Sequence, residues 1–158
     1  MTAFVVPATA GSLSAYDYST MLDCLIIGDS IAIGTHQFRP ECVAYARSGI
    51  TSHGWNKLFG NNLLAAETVI ISLGTNDWEG ANTYAKLREI RAKITGKQVF
   101  WIAPNQTSRP LVYQDVNTIA GIFGDEVIST NRYQQDKIHP SWAGYRELAN
   151  KSRIKSGQ

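Results

Sequence analysis

Five short apolar runs alternate along the chain with segments whose apolar residues recur at helical spacing. The runs lie at residues 25–27, 41–47, 68–73, 99–102 and 127–128, and the helical patterns at 31–38, 52–59, 79–94, 112–123 and 141–149. Continuous apolar runs suit strands that are covered on both faces, as in a parallel sheet between two layers of helices. The pattern therefore predicts a three-layer α/β/α sandwich with a five-stranded parallel sheet, whose strand order periodicity does not reveal.

The domain organisation follows from the same pattern. The alternation spans residues 21–150, which we predict to be a single domain, and 158 residues are enough for one hydrophobic core. Residues 1–20 are rich in Ala, Ser, Thr and Gly and are predicted to be an extension, and residues 151–158 a basic tail. No signal peptide or membrane-spanning segment is expected, which favours cytoplasmic synthesis and leaves the final location open.

Polar residues follow several of the predicted strands. Asp29 and Ser30 come directly after the first, Gly49 shortly after the second, Asn76 after the third and Asn105 after the fourth. The carboxyl ends of parallel strands meet at one edge of a sheet, where ligands bind, so these residues should converge there.

A serine hydroxyl becomes a good nucleophile only when a base accepts its proton, and His139 is the one histidine with a carboxylate, Asp136, three residues before it. Asp136 could fix the imidazole tautomer so that the other ring nitrogen faces Ser30. The backbone N–H groups of Ser30 and Gly49 and the side-chain amide of Asn76 could stabilise an oxyanion. Alternatively, Ser30 is only a helix N-cap.

Four blocks of the sequence resemble the SGNH hydrolases, also called the GDSL esterase and lipase family. Residues 28–30 match the GDS block, Gly49 the glycine of the second block, residues 74–77 the GxND block and residues 136–139 the DxxH block. The resemblance implies a flavodoxin-like sheet, Ser30 as nucleophile, His139 as base and Asp136 as its orienting group. It also implies oxyanion donors at Ser30, Gly49 and Asn76. Lys137 departs from the glycine that many relatives have in this last block.

The function expected from these residues is a serine esterase that works through an acyl-enzyme, on short acyl (acetyl) esters of carbohydrates or other small esters. Trp78, Asn105 and Trp142 could contact substrate, although core packing is an equal alternative for the two tryptophans. Lipolytic or thioesterase activity on longer acyl chains remains open. So do a Mg²⁺ or phosphate-binding module built on Asp29, Asp77 and Asp136, and an idle SGNH fold used for binding.

The composition and charge of the chain limit which binding partners are expected. The net charge of +2 is too small to indicate a nucleic-acid partner, and no cofactor or metal site is expected. The expected partner is a small-molecule or glycan ester. The protein is not expected to insert into a membrane, and its oligomeric state is open. Cys24 and Cys42 lie in apolar segments and are expected to be buried free thiols.

Overall fold

The computed structural model describes residues 21–153, and a five-stranded parallel sheet runs through their centre. The strands lie in the order β2-β1-β3-β4-β5, and every neighbouring pair is parallel. The strands are β1 (Leu22–Gly28), β2 (Val43–Ala46), β3 (Ala65–Ser72), β4 (Thr95–Ile102) and β5 (Glu126–Ile128). The predicted α/β fold with a five-stranded parallel sheet is therefore confirmed. The predicted extension at residues 1–20 lies outside the described residues.

Helices cover both faces of this sheet. They are α1 (Ser30–His36), α2 (Ser52–Phe59), α3 (Thr83–Ala92), α4 (Pro110–Phe123) and α5 (Trp142–Lys151). One face of the sheet packs in a core with side chains of α2, α3 and α4, among them Trp55, Leu87 and Val116. The other face packs with α1 and α5 through Ile31 and Leu148. The central strands β1, β3 and β4 are thus covered on both faces, which explains their apolar runs, whereas β2, at one edge of the sheet, is only partly buried.

One helix begins later than its sequence pattern predicts. Apolar spacing predicted a helix over residues 79–94, whereas α3 begins at Thr83. Gly80 and Asn82 both have positive φ, at 86° and 56°, and such residues cannot continue a right-handed helix. Residues 78–82 therefore form a turn at the carboxyl edge of the sheet instead of a first helical turn.

The prediction of free thiols was wrong, because Cys24 and Cys42 form a disulfide. Leu25 pairs with Val43 in the β1–β2 register, so the two cysteines occupy neighbouring positions one residue earlier, with a Cα–Cα distance of 4.5 Å. That separation lies within the range a disulfide can bridge. The bond joins β1 to the residue that precedes β2.

The end of the described chain packs against the start of the domain. Ser152 is buried, and its backbone and hydroxyl oxygens both accept hydrogen bonds from the guanidinium of the buried Arg39. Residues up to 152 therefore contribute to the domain, two beyond the predicted boundary. Within residues 21–153, no helix combines the length and apolarity needed to cross a membrane.

Candidate active site

The turn between β1 and α1 presents Ser30 at the carboxyl edge of the sheet. Gly28 has a φ of 147°, and a Cβ on it would lie 1.9 Å from the carbonyl oxygen of Ser72, so the position requires glycine. Asp29 caps α1, because its Oδ1 accepts a hydrogen bond from the N–H of Ile31 at 3.0 Å. Ser30 is thus the first residue of the helix, at a point where the backbone is fixed on both sides.

Asp29 is fully buried beneath this turn. The hydroxyl of Ser72 also donates to its Oδ1, at 3.1 Å, while its Oδ2 has no hydrogen-bond partner among the described residues. Burial raises the pKa of Asp29 to about 6, because removal from water disfavours the charged form more than these hydrogen bonds stabilise it. This carboxyl therefore joins the turn, through Ile31, to the end of β3, through Ser72.

Ser30 lies within hydrogen-bonding distance of His139. The Ser30 Oγ is 3.0 Å from His139 Nε2, and His139 Nδ1 is 2.7 Å from Asp136 Oδ2. A carboxylate only accepts hydrogen bonds, so Nδ1 carries the proton and Nε2 is free to accept the serine proton. The structure therefore brings together a hydroxyl, an imidazole and a carboxylate in the order that activates a nucleophile.

Asp136 also organises its own loop. Its Oδ1 accepts the backbone N–H groups of Ile138 and His139, at 2.9 and 3.0 Å. The hydrogen bond from His139 is the main reason that the pKa of Asp136 falls to about 2, and the two backbone donors add to the effect. Asp136 is therefore ionised at neutral pH, the state in which it accepts a hydrogen bond from an imidazole N–H most strongly.

Gly49 and Asn76 lie in the turns after β2 and β3, the strands on either side of β1. Gly49 has a φ of 77° and open space where a Cβ would be. The Asn76 Nδ2 donates one of its two hydrogens to the carbonyl of Ile50, at 3.1 Å, which joins the two turns. Both groups thus stand at the edge that carries Ser30.

Asp77 stabilises the loop that carries Asn76. Its carboxylate accepts the backbone N–H and the hydroxyl of Ser52, at 2.7 and 2.5 Å, and the hydroxyl of Thr83 at 2.8 Å. Ser52 begins α2 and Thr83 begins α3, so one carboxylate joins both helices to this loop. The contacts of Ser52 and Thr83 with Asp77 could not be predicted from the sequence, because only the folded chain brings these residues together.

The three residues predicted as possible substrate contacts have different surroundings. Trp78 and Trp142 are each 60% exposed, so neither packs in the core. Trp142 contacts Phe38 edge to face, with ring centroids 4.6 Å apart. Asn105 uses both ends of its amide within the protein, since its Nδ2 donates to the carbonyl of Lys137 and its Oδ1 accepts the N–H of Thr107.

Trp78 borders a groove of about 340 Å³ between the loop after β3 and the start of α4. Its rim includes Leu111, which is 68% exposed, and its wall carries the polar groups of Ser108, Arg109 and Asp115. The Arg109 Nε donates to the carbonyl of Thr75, the residue before Asn76, so the groove adjoins the loop that carries Asn76. Sequence reasoning missed Ser108 and Arg109, although their position just before Pro110, after a predicted strand, is a usable signal.

No set of three or more His, Cys, Asp or Glu side chains within residues 21–153 could hold a metal ion. No protein-family model matches the chain, and no curated protein matches it either.

Three solved structures share the fold at low sequence identity. A candidate acylhydrolase of Bacteroides fragilis is 14% identical with a TM-score of 0.60, over 89% of this chain and 87% of that one. The catalytic domain of peptidoglycan O-acetyltransferase A of Streptococcus pneumoniae is 17% identical with a TM-score of 0.56, over 82% and 89%. AlinE4, an SGNH-hydrolase family esterase, is 18% identical with a TM-score of 0.50, over 83% and 92%. These likenesses show the SGNH-hydrolase fold and support the resemblance inferred from the four sequence blocks.

Proposed function

We propose that the protein is a serine ester hydrolase of the SGNH type that acts through an acyl-enzyme. The observation that carries the proposal is the continuous hydrogen-bonded chain from Ser30 Oγ through His139 to Asp136. His139 Nε2 takes the hydroxyl proton as Ser30 Oγ attacks the ester carbonyl, and then donates it to the departing alcohol. Water, activated by the same nitrogen, releases the acid and restores Ser30.

The oxyanion formed in each step requires hydrogen-bond donors already in place. We assign this role to the backbone N–H groups of Ser30 and Gly49 and to the second hydrogen of Asn76 Nδ2. The support is their location in the turns that end β1, β2 and β3, three adjacent strands. A Gly49 without neighbours at its Cβ position leaves the approach to its N–H open.

For the substrate, we propose a short acyl ester, such as an acetyl ester, of a carbohydrate. The groove beside Trp78 supports a sugar more than a hydrocarbon chain, because the exposed Trp78 lines it together with the carboxyl of Asp115 and the guanidinium of Arg109. Sugar hydroxyls can hydrogen-bond these groups, whereas a hydrocarbon would desolvate them without compensation. Burial already raises the pKa of Asp115.

The first test is hydrolysis of nitrophenyl acetate by Ser30→Ala. Loss of the nucleophile should lower kcat by several orders of magnitude, roughly 10⁴-fold or more, as in other serine hydrolases. Ser129→Ala is the matched control, because Ser129 is exposed at the end of β5, and it should retain full activity. Undiminished turnover by Ser30→Ala would refute the mechanism. Full activity in excess EDTA would exclude the Mg²⁺-binding alternative.

A second test separates the substrate from the mechanism. Trp78→Ala should raise KM for an acetylated oligosaccharide several-fold and leave kinetics on nitrophenyl acetate unchanged. Leu63→Ala, which removes an exposed apolar side chain that does not line the groove, is the control and should affect neither substrate. Faster hydrolysis of octanoyl than acetyl esters would instead favour the lipolytic alternative, and labelling of Ser30 by a fluorophosphonate would argue against an idle fold.

The neighbour that is a peptidoglycan O-acetyltransferase raises a second candidate, transfer of the acyl group to a sugar hydroxyl instead of water. Both reactions share the acyl-enzyme and differ only in the acceptor. Adding oligosaccharide to a nitrophenyl acetate assay and measuring acylated sugar by mass spectrometry distinguishes them. For the hydrolase that we propose, we expect more free acetate than acetylated sugar among the products.

A further inference from the structure

The loop that carries Asp136 and His139 is open to solvent. The side chains of Asp136 and His139 are 45% and 38% exposed, in contrast to the buried turn beneath Ser30. Burial in the core therefore does not fix the imidazole in position. Hydrogen bonds must therefore fix the imidazole. The residues that make these hydrogen bonds are the ones on which the alignment of His139 with Ser30 depends.

Lys137, between these two residues, has a strained backbone. Its φ of 61° lies in the left-handed region, which L-residues seldom adopt without support from the surrounding structure. Its carbonyl oxygen accepts two hydrogen bonds from another loop, from Asn105 Nδ2 at 2.9 Å and from Ser108 Oγ at 2.8 Å. Two donors on one carbonyl fix the orientation of the peptide between Lys137 and Ile138.

That peptide is held at its other end by Asp136. The N–H of Ile138 donates to Asp136 Oδ1, and Asp136 Oδ2 accepts His139 Nδ1. An unbroken series of contacts thus leads from the two donors through one peptide plane and one carboxylate to the imidazole. A rotation of this peptide would move the carboxylate, and the imidazole would lose its orientation toward Ser30.

The loop that supplies the donors is itself well fixed. Asn105 Oδ1 accepts the N–H of Thr107 at 3.0 Å, and the Asn105 carbonyl accepts the N–H of Arg109 at 2.8 Å. Arg109 in turn donates from its Nε to the carbonyl of Thr75, immediately before Asn76. Residues 105–109 therefore contact both the loop of the proposed base and the loop of a proposed oxyanion donor.

We infer that Asn105 and Ser108 are positioning residues that hold the Asp136–His139 loop in the conformation that aligns His139 with Ser30. This assignment replaces substrate contact as the role of Asn105. It deepens the proposed esterase function and rests on it for its kinetic consequence, while its structural consequence can be measured without any substrate.

The kinetic test uses Asn105→Ala, Ser108→Ala and the double variant. Loss of alignment should lower kcat of the double variant between about 10-fold and 100-fold, because small misplacements of a catalytic group carry effects of this size. On nitrophenyl acetate, KM should change by less than about 2-fold, because this small substrate does not depend on the groove that Ser108 lines. Ser108→Thr keeps the hydroxyl and should retain activity. Asn117→Ala is the matched control: it removes an exposed asparagine on α4 whose amide, within residues 21–153, donates only to the carbonyl of Tyr113.

The substrate-free test is an NMR titration of the Asp136 carboxyl in the native protein and the double variant. The native pKa of about 2 depends mainly on the His139 hydrogen bond, so it should rise toward the ordinary 3.8 when the loop is released. Amide spectra and thermal unfolding check that the variant remains folded. If it does not fold, the same titration of Ser108→Ala decides the question.

An unchanged Asp136 titration in a folded double variant would overturn the inference, and so would a kcat within 2-fold of the native protein. If the native protein hydrolyses no ester, the proposed function fails, yet a raised pKa of Asp136 in the variant would still support the positioning role. The two ideas can therefore fail separately.

Discussion

Asp29→Asn should remove a loss of stability that the native protein undergoes as the pH rises from about 4 to about 6. The folded protein holds the pKa of Asp29 at about 6, above the ordinary value of 3.8 that applies in the unfolded chain. Below about pH 4 the carboxyl is protonated in both states. Between about pH 4 and 6 the folded state keeps the proton that the unfolded state has released, so stability falls as pH rises.

Above about pH 6 the buried carboxylate is charged in both states and the loss is complete. The difference between 3.8 and about 6 corresponds to roughly 3 kcal/mol of unfolding free energy. Asparagine cannot ionise, and its Oδ1 can still accept the Ile31 N–H and the Ser72 hydroxyl. Its amide nitrogen would replace Oδ2, which has no hydrogen-bond partner among the described residues. Burying this nitrogen without a partner lowers stability by an amount that does not vary with pH.

The assay is urea unfolding of the native protein and Asp29→Asn between pH 4 and pH 7.5. The variant should gain up to roughly 3 kcal/mol relative to the native protein over this range. The neighbouring groups do not interfere, because the pKa of Tyr145 is raised to about 12 by burial and by nearby carboxylates, and that of Asp136 is about 2. Parallel stability curves for the two proteins would refute the reasoning.

Three further results are expected. Reducing the Cys24–Cys42 disulfide, which spans 18 residues, should lower the unfolding free energy by about 3 kcal/mol in urea titrations with and without reductant. Lys137→Gly should raise it by up to about 1 kcal/mol, since glycine removes left-handed strain but adds unfolded-state entropy, and a loss of stability would contradict this. Asn76→Ala should lower kcat on nitrophenyl acetate about 10²-fold to 10³-fold if its amide binds the oxyanion.

The fold was predictable because the sheet is buried on both faces. The central strands β1 and β3 carry runs of branched apolar residues, and a glycine at or just after the end of each, Gly28 and Gly74, lets the chain turn. The start of α3 was missed because apolar spacing continues through Gly80 and Asn82, whose backbone angles exclude a helix. The local pattern of apolar residues thus identifies the helices and strands well, but it locates their first residues poorly.

The disulfide could not be predicted, because it depends on which strands are neighbours and in what register. Cys24 and Cys42 each sit in an apolar segment, and only the pairing of Leu25 with Val43 places them side by side. The position of Ser108 and Arg109 after a predicted strand is visible in the sequence, but their partners, Lys137 and Thr75, are distant in sequence and could not be predicted. The spacing of residues in the sequence therefore predicts which residues carry the chemistry. It does not predict which residues hold those side chains in position.

The two halves of the candidate site are stabilised by different means, and this difference explains how the departure at Lys137 can be accommodated. Ser30 is fixed by a turn that the core encloses, where even a methyl group on Gly28 would meet Ser72. His139 lies on an exposed loop fixed by hydrogen bonds, which can offset a strained backbone angle if enough donors converge on it. A lysine at φ 61° is compatible with an aligned imidazole because another loop supplies two donors to its carbonyl.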